Sequence, residues 1–125
     1  MADFDIAFKR TIFNEGGYVN DADDMGGETY MGVSRKAHPD LDMWKIIDNV
    51  KKYCVDTPDI NEELKSNNEL TEYIKNFYET NYWRPFNLYN QQNQRLANQI
   101  FDTAVNMGIA KTKKIIQRVK NEMSI

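Results

Sequence analysis

Apolar residues recur at helical intervals along most of this chain. Phe4, Phe8 and Ile12, with Ala7 between them, form one stripe, the repeat of a single helix face. That stripe predicts a first helix from about Asp3 or Asp5, either an acceptable N-cap, to Glu15. Ser34 is expected to cap a short helix ending before Pro39. Asp42 is expected to cap the next, with Met43, Ile46, Ile47 and Val50 inside. A short helix is read near Asn61–Lys65. Asn68 is read as the cap of a firmer one, with Leu70, Tyr73, Ile74 and Phe77 as its stripe. Residues 84–94 hold Pro85 and the polar run Asn90–Gln94, and read as a connecting loop. From about Arg95 a strong helix carries Leu96, Ile100, Phe101, Ala104 and Val105 inward, and Gly108 ends it. A last amphipathic helix carries Ile115, Ile116, Val119 and Met123, with Lys111, Lys113, Lys114 and Lys120 as a solvated face.

The helical rhythm breaks once. Residues 16–33 contain five of the six glycines, interleaved with aromatic and acidic residues. This marks special backbone geometry and not a linker. Tyr18-Val19 and Tyr30-Met31-Gly32-Val33 are expected to pair as two short strands. The fold class is therefore mainly α, with a short β-hairpin or glycine-rich loop after the first helix. No internal repeat or domain boundary is visible, so residues 1–125 read as one domain.

Composition narrows the function. At 125 residues, with 41% hydrophobic and 28% charged residues, the chain suits one ordinary globular core. The net charge of −3 and the lack of a basic patch argue against nucleic acid as a partner. Cys54 is the single cysteine, so no intrachain disulfide can form; it reads as a small buried hydrophobe. His38, the single histidine, has no evident partner, which disfavours a Ser-His-Asp site or a histidine-rich metal site. No apolar run approaches the ~18 residues of a membrane span. The acidic start Met1-Ala2-Asp3-Phe4-Asp5 is not a secretory signal.

The chemistry concentrates in the glycine-rich segment. Counted at ~100° per residue, Glu15 falls within roughly 20° of Phe4 and Phe8 around the helix. Its carboxyl group should then face the core, where burial raises a carboxyl pKa and suits it to act as a general acid. A second acidic cluster follows at Asp23-Asp24-Met25-Gly26-Gly27-Glu28. Two carboxyl groups in contrasting settings fit acid-catalysed cleavage of a sugar bond. The alternatives are plain: Glu15 as a helix end, Asp24 as a turn residue bonding its own backbone, Glu28 as a solvated neighbour, Thr29 bonding a local carbonyl.

The run Glu15-Gly16-Gly17-Tyr18-Val19-Asn20-Asp21, followed by Asp24-Met25-Gly26-Gly27-Glu28-Thr29-Tyr30-Met31-Gly32-Val33-Ser34, resembles glycoside hydrolase family 108. These are N-acetylmuramidases of phage lysins and of secretion-associated wall hydrolases. Tyr78-Glu79-Thr80-Asn81-Tyr82-Trp83 looks like the family's Tyr-Trp segment, and Phe101-Asp102-Thr103-Ala104-Val105-Asn106-Met107-Gly108 is similar to its Phe-Asp-x-Ala-Val-Asn-x-Gly helix. The resemblance implies a lysozyme-like helical fold, no cofactor or metal, and cleavage of the β-1,4 bond after N-acetylmuramic acid in bacterial peptidoglycan. It assigns the catalytic acid to Glu15. The protein is expected to be a monomer made in the cytoplasm without a signal peptide, and the resemblance implies release to the wall by a holin or a secretion system. Helix 110–123 would be the start of a peptidoglycan-binding region.

The order Glu15, Asp24, Thr29 further resembles the Glu-x8-Asp-x5-Thr arrangement of phage-type lysozymes. Asp24 is the first candidate for the second carboxylate, with Asp23 and Glu28 competing for the role and Thr29 helping to hold a water, which implies inversion. Tyr18 and Tyr30, with Gly26 and Gly27, are expected to line the sugar groove. Asp102 and Asn106 lie one turn apart and are expected either to face it or to bond between helices. Two other readings compete: a lytic transglycosylase, which uses one Glu and leaves 1,6-anhydro ends, and a non-catalytic wall-binding or secretion-accessory module.

Overall fold

The computed structural model describes residues 1–14, 16–20, 27–54 and 60–123. The chain is mainly α with one small antiparallel sheet, as a lysozyme-like domain requires. Its described residues form two compact units, one of residues 1–11 with 78–125 and one of residues 12–77.

In the first unit, α1 (Phe4–Phe8) is capped by Asp3, whose carboxylate accepts the Asp5 N–H at 2.8 Å. The helix runs on as a π-helical turn, Lys9–Phe13. Phe4 packs edge-on to Trp83 and Phe101, with ring centroids 5.3 and 5.5 Å away. These rings, with Phe8, Tyr78 and Ala97, form the core, in the tilted geometry that aromatic quadrupoles favour. Residues 84–94 are not simple loop: two 3₁₀ turns, Arg84–Phe86 and Leu88–Asn90, flank Asn87 at φ 55°. Asn93 caps α5 (Gln94–Met107) by accepting the Leu96 N–H. Gly108, at φ 89°, then turns the chain into α6 (Ile109–Met123). Two stripes differ from expectation. Leu96, Ile115, Val119 and Met123 are exposed, because α6 buries only Thr112 fully and no described element covers the rest.

In the second unit, β1 (Tyr18–Asn20), β2 (Glu28–Tyr30) and β3 (Val33–Ser34) form a sheet in the order β1-β2-β3. The expected strand 30–33 is split by a two-residue turn. Met31 and Gly32 both have positive φ, 48° and 83°, the pairing that gives a tight hairpin with the correct twist. Three helices follow: α2 (Met43–Tyr53), α3 (Ile60–Lys65) and α4 (Asn68–Tyr78). Ile12, Tyr30, Val33, Met43, Trp44, Ile47, Leu64, Leu70 and Ile74 form the core. Trp44, absent from the predicted α2 face, is among the most buried, and its indole N–H donates to the His38 carbonyl at 2.8 Å. Asn67, not Asn68, caps α4, its side chain accepting the Leu70 N–H at 3.0 Å. Ser34 opens only a single turn, ending at the His38 N–H. Cys54 is half-buried.

Candidate active site

The segment after Glu15 is gripped on two sides. The Gly16 N–H donates to the Ile12 carbonyl at 2.7 Å, and the Gly17 carbonyl accepts from Met31 at 3.0 Å. A Cβ on Gly16 would lie 2.7 Å from the Ile12 carbonyl and 3.0 Å from the Met31 Cα. Only glycine lets the backbone pass there. The Tyr18 N–H donates to the Asn61 side chain at 2.6 Å, which anchors β1 to α3.

Glu15 itself, Asp24 and Gly26 lie outside the described residues. One premise about Glu15 changes nonetheless. Its alignment with Phe4 and Phe8 rests on α-helical rotation, but Lys9–Phe13 is a π-helical turn. The i→i+5 pattern turns the chain by less than ~100° per residue, so counting from Phe4 does not fix the direction of Glu15.

The sheet register sorts the remaining candidates. Tyr18 pairs with Tyr30, Val19 with Thr29, and Asn20 with Glu28. Residues directly opposite share a face and successive residues alternate. Tyr18, Glu28 and Tyr30 therefore lie on one face, and Thr29 and Val19 on the other. The sugar-facing tyrosines and the water-holding threonine were expected to share a groove; the register separates them. Tyr30 is fully buried, packing beneath the hairpin, and its hydroxyl has no partner among the described residues. Its ring offers no surface to a sugar. The Tyr18 hydroxyl is spent on Glu28. Gly27 leads into β2 at φ 63°. The half-buried Thr29 makes no side-chain hydrogen bond among the described residues, so the alternative of a bond to a local carbonyl is not realised there.

Glu28 is not a solvated neighbour. Its side chain is 12% exposed. One carboxylate oxygen accepts from Arg35 at 2.9 Å; the other accepts from Lys51 at 2.7 Å and from the Tyr18 hydroxyl. Arg35 also forks onto Asp48 with two bonds of 2.8 Å and lies over the Trp44 ring. Burial alone would raise the Glu28 pKa, but the donors on Lys51, Tyr18 and Arg35 outweigh it and hold the group below the ordinary glutamate value. The Arg35 bonds likewise lower Asp48, and the bond to Glu28 raises Lys51. A carboxylate whose oxygens are occupied and whose charge is balanced is a poor general base. Arg35, Asp48 and Lys51 carried no local sequence signal; only the Asp48 to Lys51 spacing, one turn of α2, hints at their shared face.

In the first unit, Asp102 and Asn106 are exposed, and Asn106 donates to the Asp102 carbonyl at 2.9 Å and to its carboxylate at 3.3 Å. They satisfy each other along one helix and not between helices.

The glycosyl hydrolase 108 family model matches residues 8–108. The chain belongs to that family. The match takes in Glu15, the glycine-rich segment, the sheet and α2 through α5, and ends at Gly108. No curated protein and no solved structure matches the chain. As a glycosyl hydrolase 108 domain it is a glycoside hydrolase. The spacing differs from Glu-x8-Asp-x5-Thr in its second interval: four residues, not five, separate Asp24 from Thr29.

Proposed function

We propose that this hydrolase is an N-acetylmuramidase that cleaves the β-1,4 bond between N-acetylmuramic acid and N-acetylglucosamine in bacterial peptidoglycan. The observation that carries this reading is the position of Glu15 in a member of glycosyl hydrolase 108. In the sequence it lies between a π-helical turn, a feature frequent at functional sites, and a Gly16-Gly17 step held against the Met31–Gly32 turn. Glu15 protonates the glycosidic oxygen, and an oxocarbenium-like transition state develops at the anomeric carbon. Asp24 serves as the base for a water that the Thr29 hydroxyl helps to hold. Glu28 does not compete for that role, since three donors engage it. A base acting through water requires carboxyl groups ~6.5–9.5 Å apart, and a separation of ~5–5.5 Å would replace inversion by retention. In this reading the enzyme acts on the wall after a holin or secretion system releases it.

The test is mass spectrometry of products released from purified peptidoglycan by the wild type and by Glu15→Gln. Reducing N-acetylmuramic acid ends from the wild type alone support the proposal. Anhydro ends make the enzyme a transglycosylase, and no release by folded wild-type protein removes the enzymatic reading.

A further inference from the structure

Glu28 stands at the centre of the charged cluster, yet its own chemistry is blocked. Arg35 and Lys51 neutralise it, and Tyr18, Arg35 and Lys51 occupy both its oxygens. Such a cluster is a weak source of net stability, because apolar side chains of similar size do as well once charge desolvation is counted. What it supplies is geometry. A three-stranded sheet whose strands run two or three residues has little to define its register. A slip by one residue would send every side chain of β2 to the opposite face. Glu28 blocks that slip. It is tied to β1 through Tyr18 and to α2 through Lys51 and the Arg35–Asp48 fork. The Arg35 N–H donates to the Glu28 carbonyl at 2.9 Å, which closes the strand end. On the far side of Thr29, the fully buried Tyr30 provides the second anchor. Thr29 sits between these two fixed neighbours, facing away from both.

We propose that Glu28 is a positioning residue of the reaction: clamped by Tyr18, Arg35 and Lys51, it fixes the register of β2 so that the Thr29 hydroxyl is presented on the opposite face of the sheet to the attacking water. This rests on the reading of Thr29 given above. Glu28 touches no reacting atom; it acts through Thr29.

The experiment is a double-mutant cycle on the full chain, with Glu28→Gln, Thr29→Val and both together, reading kcat and KM for release of reducing ends from soluble glycan strands. Losing one neutral hydrogen bond to the water lowers kcat by up to about tenfold. Thr29→Val and Glu28→Gln should each show that loss with KM little changed, and the double variant should be no worse than either, since residues acting as one unit are not additive. Effects that multiply to about a hundredfold overturn the proposal, as does wild-type kcat in folded Glu28→Gln. If Glu28→Gln does not fold, Lys51→Gln replaces it in the cycle: non-additive losses again support the proposal, and multiplying losses or wild-type kcat again overturn it. An inactive but folded wild type overturns the parent reading and this inference with it; an active wild type with independent variants overturns this inference alone.

Discussion

Glu28 and Thr29 are adjacent in one three-residue strand, yet they face opposite sides of the sheet. On Glu28's side lies a charged network reaching into α2; on Thr29's side is a half-buried hydroxyl beside the exposed Val19. A single β-strand thus separates the clamped carboxylate from the Thr29 hydroxyl by its alternation alone.

If Glu15 is the general acid, Glu15→Gln removes the proton while keeping size and shape. General acid catalysis contributes typically ~10²–10⁴-fold, so kcat should fall by that amount while the melting temperature stays within a few degrees. Steady-state release of reducing ends, read beside a thermal melt, checks both.

The Gly16 contact gives a backbone prediction. A methyl group at residue 16 meets a carbonyl oxygen and a Cα, neither of which can swing aside. Gly16→Ala should therefore destabilise by ~1–3 kcal/mol, the usual cost of overpacking. Denaturant unfolding measures it, and an unchanged midpoint would show that the segment relaxes freely.

Acid should loosen the sheet. The folded-state pKa values of Glu28 and Asp48 lie below their ordinary values of 4.5 and 3.8. Their contribution is present above those values and is lost as pH falls through the lower folded-state values. Thermal stability should decline below about pH 4.5, and the decline should be shallower in Glu28→Gln. Equal slopes in the two proteins would place the acid sensitivity elsewhere.

Tyr30 offers a stabilising substitution. Its hydroxyl is buried without a partner among the described residues, and a buried unsatisfied group costs ~1–3 kcal/mol. Tyr30→Phe should raise stability by about 1 kcal/mol. Burial also lifts the Tyr30 pKa from 10.0 to about 12. Burial thus penalises the ionised form, so this group leaves stability unchanged below pH 10 and lowers it as pH climbs toward 12. Tyr30→Phe should remove that part of the alkaline loss, as melts between those limits will show.

The α4 cap separates two neighbouring asparagines. Asn67→Ala should cost ~0.5–2 kcal/mol, the range for loss of an N-cap, whereas Asn68→Ala removes no capping bond. Equal melting temperatures for the two variants would contradict the assignment of the cap to Asn67.

The helices were legible without any coordinates, because apolar spacing is local and survives any packing. Phe4, Phe8, Ile12, Leu70, Ile74 and Phe101 all stood out as core positions and are buried. The glycine-rich segment also marked itself as a place of special backbone geometry, and Gly27 and Gly32 there have positive φ. Everything that depends on how distant segments meet had to come from the folded chain. The π-helical turn at Lys9–Phe13 breaks the rotation on which the direction of Glu15 was counted. The positive φ at Met31 and Gly32 splits one expected strand into two. The register places Tyr18 and Thr29 on opposite faces. Glu28, Arg35, Asp48 and Lys51 meet across 7 to 23 residues of sequence. Charge pairs of that kind leave no period in a sequence, since any exposed acid looks like any other until the fold supplies its partner.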